Sequence, residues 1–250
     1  MTDSPTATDA IETRGLSRSF GALRALDRVD LDVAPGESVA LFGPNGAGKT
    51  TLIRILTLCL KPSAGTLLLG GFDPRRDDRP IRERIGLISH HSFLYDDLTA
   101  RQNLEFFAGL YGVPEPRDRA DRLLAEFGLL PRAEDAVRTF SRGMQQRLSL
   151  ARALVHEPRL LFLDEPFNGL DPHAARMLRG TLEQLRGAGR TIVLVTHNLA
   201  EGLQLSDRWL ILRAGRIAAE GRSRDTDAAS FDGWYFEQFA APAAAAPASR

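Results

Sequence analysis

A single cysteine, Cys59, excludes a disulfide within the chain, and a reducing compartment suits it. Cys59 lies in an apolar, helix-like stretch and reads as a small buried hydrophobe rather than a reactive thiol. Charge of one sign is also missing. The 32 basic and 32 acidic residues give a formal net charge of +0, which argues against general nucleic-acid binding. No run approaches the ~18 uninterrupted apolar residues of a membrane span. The opening MTDSPTATDA is acidic and polar, unlike a signal peptide. No internal repeat of solenoid length is visible. The expectation is a cytoplasmic protein, held at a membrane only through a partner. At 250 residues and 43% hydrophobic content, the chain suits one large α/β domain with a small appendage.

What is present starts with GPNGAGKTT, residues 43 to 51. It follows the apolar run Ser38 to Phe42, which reads as a buried strand, and precedes Leu52 to Leu56, which reads as a helix. Strand, glycine-rich loop and helix is the setting in which GxxxxGK[ST] means a phosphate site. Gly43, Gly46 and Gly48 let several backbone N–H groups converge on one anion. The helix start adds unpaired N–H groups and a positive dipole end. Lys49 can reach the β- and γ-phosphates, and the Thr50 hydroxyl can hold Mg²⁺.

Taken in order, residues 1 to 10 read as a disordered tail. Ile11 to Phe20 and Leu26 to Val33 read as strands around a Gly21 turn, and Thr66 to Leu69 as another. Arg75 to Arg84 is charged and suggests a loop with a short helix, followed by a strand from Ile85 to Ser89. Helical patterns then cover residues 103 to 111, 117 to 127, 133 to 137 and 144 to 155. This block, about 91 to 156, reads as a helical insertion. Strands at Leu160 to Leu163 and Thr191 to Val195 flank a helix from His173 to Leu185, so parallel strands with crossover helices are expected. Trp209 to Leu212 and Arg216 to Ala219 suggest two last strands. Residues 240 to 250 are rich in Ala and Pro and read as a second disordered tail.

Two further motifs carry chemistry. Leu160 to Leu163 ends in Asp164 and Glu165, which places both acids at the C-terminal edge of a buried strand. In a parallel sheet that edge faces the ligand crevice. Asp164 can anchor Mg²⁺ through its water shell, and Glu165 can orient or deprotonate an attacking water. The string Phe140-Ser-Arg-Gly-Met-Gln-Gln-Arg147 starts a helix. Ser141 is a plausible N-cap, and the open helix start beside Gly143 is also suited to an anion.

From Gly15 to Gly221 the chain resembles the ATPase subunits of ABC transporters. Gly43, Pro44, Asn45, Gly46, Ala47, Gly48, Lys49, Thr50 and Thr51 match the Walker A loop. Leu163-Asp164-Glu165-Pro166 matches the end of Walker B, and Ser141 and Gly143 are kept from the signature motif. Asn168 to Asp171 lies at the D-loop, and Thr196-His197 at the switch histidine. Phe20 sits where the family stacks an aromatic on adenine. Phe20 as ordinary core, Asp171 as a helix cap and His197 as a satisfied histidine are the plain alternatives. The resemblance implies an α/β P-loop NTPase fold with a RecA-like parallel core, an antiparallel β subdomain and the helical insertion. It also implies ATP and Mg²⁺, a second ATPase subunit docked head to tail, and a transmembrane permease as partner.

Two positions depart from the family pattern. His90 stands where a Q-loop glutamine is usual. An imidazole suits Mg²⁺ less well than an amide oxygen, so action through a water or on the partner is expected. Arg142 replaces a glycine of the signature and is expected to face solvent. The stretch from His90 to Thr99 carries aromatics suited to docking the permease; packing of Phe93 and Tyr95 in the core is the alternative. With Asn103 to Phe107, that stretch resembles haem-exporter ATPases of cytochrome c maturation. Leu104 to Gly112 resembles drug- and lipid-exporting ATPases. Export is preferred and haem is the expected cargo, with drug or lipid export and a soluble, non-transport ATPase as alternatives.

Overall fold

The computed structural model describes residues 10–89 and 92–240. The two tails expected to be disordered, apart from Ala10 and Ala240, and both His90 and His91 lie outside the described residues.

Strands β1 (Ile11–Phe20) and β2 (Leu23–Val33) form a hairpin. Strand β3 (Ser38–Phe42) runs into the glycine loop, helix α1 (Lys49–Leu56) leaves it, and β4 (Ala64–Leu69) returns to pair with β1. The short helix α2 (Arg79–Arg82) and strand β5 (Ile85–Ile88) follow. Helices α3 (Ala100–Leu110), α4 (Pro116–Glu126) and α5 (Arg142–Ala153) come next. The chain then alternates through β6 (Leu160–Asp164), α6 (Pro172–Gly187), β7 (Thr191–Val195) and α7 (Leu199–Leu205). It closes with β8 (Arg208–Arg213), β9 (Arg216–Arg222) and α8 (Ala228–Tyr235).

Two sheets result. One is antiparallel, ordered β2-β1-β4, and the other is ordered β5-β6-β7-β3-β8-β9. In the second, β5, β6, β7, β3 and β8 are parallel and β9 closes the edge antiparallel. Strands β3, β6 and β7 are buried at every residue, which is why they read as unbroken apolar runs rather than as alternating ones. Their two faces feed different cores. Leu161, Leu163, Ile192 and Leu194 pack with helices α3 to α6. Leu160, Phe162, Val193 and Val195 pack with α1 and the antiparallel sheet. At about 1.5–3 kcal/mol for each large side chain buried, this double facing anchors the strand ends that carry the chemistry.

Two expectations are corrected. The helix expected at 133 to 137 is absent; a short 3₁₀ turn at Leu130–Arg132 precedes the stretch and another, Val137–Thr139, begins at its last residue. Their backbone is committed to the start of α3: Ala100 N–H donates to Asp135 O, Arg101 N–H to Ala133 O and Val137 N–H to Leu98 O. Cys59 is exposed rather than buried. Helix α1 stops at Leu56, Leu58 turns to φ 59°, and the apolar periodicity ends one turn earlier than its composition suggests.

Candidate active site

The glycine loop bends through φ 147° at Gly43, 78° at Gly46 and 105° at Gly48. Gly48 is also the N-cap of α1 and offers no side chain to its first amides, which are left for a ligand. Lys49 folds back over the loop, its Nζ donating to Gly43 O at 2.6 Å and Pro44 O at 3.0 Å. Burial lowers its pKa, opposed by the nearby charges of Glu165 and Asp164. A cleft of about 600 Å³ opens over the loop, lined by Phe20, Asn45 to Thr51, Asp164 and Glu165. Phe20 is 46% exposed at the rim, so its alternative as core packing does not hold.

Strand β6 delivers the acids. Asp164 is its buried last residue. Glu165 then turns into the left-handed region at φ 53°, a conformation costing about 1–2 kcal/mol for a residue with a Cβ. Its N–H still donates to Val195 O at 2.9 Å, so the sheet holds the turn in place. The turn aims the carboxylate at the end of β7, where His197 Nδ1 lies 2.8 Å from Glu165 Oε2. Nothing in sequence spacing pairs these two residues; the parallel register of β6 and β7 does, by setting Asp164 opposite Val195.

The signature residues lie elsewhere. Ser141 caps α5, accepting from Met144 N–H at 3.3 Å, and Asp171 caps α6, accepting from Ala174 N–H at 2.8 Å. Asp171 Oδ2 sits where a Cβ on Gly143 would come within 3.5 Å of it, so the signature and the D-loop segment form one patch. Gln146 Nε2 ties that patch to Pro166 O at 3.0 Å. Neither Ser141 nor Gly143 lines the cleft over Lys49. The structure therefore gathers Phe20, the glycine loop, Asp164, Glu165 and His197 at one place and Ser141, Gly143 and Asp171 at another. Arg142 is exposed, as expected.

A second groove, about 570 Å³, runs between the end of α1, α2, α3 and α5. Of the aromatics expected to dock a partner, Phe93 lines this groove and Tyr95 does not, and no sequence signal showed what holds them. Buried Asn103 staples the loop before α3, its Oδ1 accepting from Tyr95 N–H at 2.8 Å and its Nδ2 donating to Tyr95 O at 3.0 Å. A reciprocal capping box between Thr99 and Gln102 fixes the helix start. Phe93 and Tyr95, each 48% exposed, and Phe106 at 41% are consequently displayed rather than buried. The floor is Arg152, which donates to Leu87 O at 2.7 Å, and His156, which stacks on Tyr111 at 3.8 Å.

Burial holds the His156 pKa down to about 4, and Arg152, Arg119 and Arg190 push the same way against its bond to Ile85 O. The unfolded chain takes up this proton below pH ~6.5 while the native chain refuses it until about 4. Stability from this group is therefore present above pH 6.5 and falls by roughly 2–3 kcal/mol as pH drops towards 4. Urea unfolding of His156→Phe should show a correspondingly smaller loss between pH 7 and pH 4.5 than the parent chain. Equal losses in the two proteins would remove His156 as the cause.

The family description "ABC transporter" matches residues 26–168, which include the glycine loop, both acids and the signature. The chain belongs to the ABC transporter ATPases. The cassette is 43% identical over 224 residues to the daunorubicin resistance ATP-binding protein DrrA3 of Streptomyces coeruleorubidus, covering 89% of this chain and 71% of that one. It is 41% identical over 214 residues to the Nod factor export ATP-binding protein I of Paraburkholderia xenovorans, covering 85% and 70%. Among solved structures, the ATP-binding subunit of an ABC transporter superposes with a TM-score of 0.80 at 34% identity, covering 86% of the cassette and 90% of that chain. The dimeric cassette MJ0796, in a post-hydrolysis state with ADP and Pi, gives 0.78 at 28% identity, covering 86% and 99%. The fold is that of a P-loop NTPase, and the cassette is an ATPase of the ABC type. The expected haem-exporter subtype finds no support in these relatives, whose names speak of drug resistance and Nod factor export. Among the described residues, no helix is long and apolar enough to cross a membrane.

Proposed function

We propose that two copies of the cassette clamp ATP between the glycine loop of one and the Ser141–Gly143 patch of the other, and that this clamp drives a membrane permease exporting a drug or lipid. The observation that carries the reading is the separation of the two patches: one chain has both halves of a nucleotide site but does not bring them to the same cleft. A head-to-tail pair would. Phe20 stacks the adenine, the amides of residues 43 to 51 and Lys49 hold the phosphates, and Ser141, Gly143 and Asp171 approach from the partner copy. Glu165 orients and deprotonates water, while His197 steadies Glu165 and contacts the γ-phosphate.

The residues present fit Mg²⁺. The exposed Thr50 hydroxyl and the buried Asp164 carboxylate are oxygen donors on one cleft. Among the described residues, no three His, Cys, Asp or Glu converge, so phosphate and water oxygens would complete the shell. When bound, the ion neutralises charge on the β- and γ-phosphates.

Export, of drugs in particular, is favoured by the names of the relatives, which speak of daunorubicin resistance and Nod factor export, and the permease would bring the cassette to the membrane. The exposed aromatic pair Tyr95 and Phe106, with Phe93 at the groove, is the docking surface. Replacing both Tyr95 and Phe106 by Ser is expected to abolish stimulation of ATP turnover by the co-reconstituted permease and leave the basal rate within about two-fold, as for loss of interface anchors. Full stimulation of that double variant would defeat the docking assignment.

A further inference from the structure

Phe20 ends β1 immediately before the Gly21–Ala22 turn, and its ring stands half exposed at the cleft rim. Among the described residues no other aromatic ring packs on it. One face is nevertheless covered. The Arg18 guanidinium lies over the ring, its Cζ 4.6 Å from the centroid. Arg18 is itself tethered: Nη1 donates to Lys61 O at 3.0 Å across to the segment after α1. Its Nε is buried without a partner, so the group is fixed by the stack and that one bond.

We propose that Arg18 is a positioning residue for the nucleotide base, holding the Phe20 ring from behind so that its other face is ready for the purine. The inference rests on the reading that Phe20 stacks the base. Arg18 does not touch the nucleotide; it acts through the ring. A ring free at a strand end loses rotational freedom when a base stacks on it, and a ring already backed by a planar cation loses less. The rest of the base end offers little to compensate. Leu23, Ala25 and Ala214 are apolar, and Arg24 is drawn to Asp27 at 3.1 Å.

The test is steady-state ATP turnover by Arg18→Met, with inorganic tripolyphosphate as a competitor that has phosphates but no base. Arg18→Met should raise KM for ATP about two- to five-fold with kcat unchanged, the range a partly exposed cation–π contact supports. Inhibition by tripolyphosphate should be unchanged. Arg18→Lys, which keeps the charge but not the planar fork, should recover part of the KM. An unchanged KM in Arg18→Met overturns the proposal. So does a parallel weakening of tripolyphosphate, since Arg18 would then be shaping the phosphate loop. Phe20→Ala separates the two readings. If it raises KM while Arg18→Met does not, only the Arg18 role fails. If it leaves KM unchanged, base stacking on Phe20 fails and this proposal with it.

Discussion

Glu165→Gln is expected to lower ATP turnover by about 10²–10⁴-fold, the range for loss of a positioned general base. ATP binding should persist, and size-exclusion chromatography at saturating ATP should show a stable dimer. Glutamine keeps the shape of the side chain and can still meet His197, but it cannot accept the proton of an attacking water. The backbone should not change either, because the left-handed turn at residue 165 is held by its N–H bond to Val195 O rather than by the carboxylate. With hydrolysis blocked, the γ-phosphate stays, and on the proposed clamp the equilibrium rests on the liganded, closed side. A variant that turns over ATP at the parent rate would remove Glu165 from the chemistry. One that elutes only as a monomer with ATP would count against the clamp.

Gly48→Ala should be a severely damaging small substitution in the loop. At φ 105° an L side chain is strained wherever space exists, and here there is none. A Cβ would meet Ala25 O at 2.5 Å, Leu26 Cδ2 at 3.0 Å and Leu212 Cδ2 at 3.4 Å. The carbonyl belongs to β2, and Leu212 is a fully buried residue near the end of β8, so neither yields cheaply. A stability loss of about 3 kcal/mol is expected from backbone strain and overpacking together. For a domain of this size, that lowers the thermal midpoint by roughly 10 °C. Lys49 is the next residue, so ATP affinity should fall as well. Calorimetry and ATP titration check both; a midpoint within a degree or two of the parent would refute the argument.

The sheet core was legible because burial on both faces writes itself as continuous apolar sequence. Residues 38 to 42, 160 to 163 and 191 to 195 could scarcely be anything else. The glycine loop was legible because phosphate binding demands glycine, lysine and threonine at fixed offsets. Residues 133 to 137 misled because their helical pattern competes with hydrogen bonds to the start of α3, a tertiary commitment with no local signature. Helices α7 and α8 drew no expectation, being short segments of seven and eight residues defined by what they pack on. The Glu165–His197 contact depends on strand register across 32 residues. Cargo was least legible: the stretch from His90 suggested haem, while the relatives' names speak of drug resistance and Nod factor export.

The position of β3 has a consequence for biogenesis. The strands that flank β3 are β7 and β8, and both are made more than 140 residues after it. The aromatic Phe231 that packs on Phe42, just before the loop, comes later still. Pairing across such separations is slow, and a nascent chain exposes the unpaired edges of β3 until its neighbours arrive. The strands that frame the nucleotide loop are thus among the last parts of the cassette to be made, and until they arrive the loop has no sheet to hold its geometry.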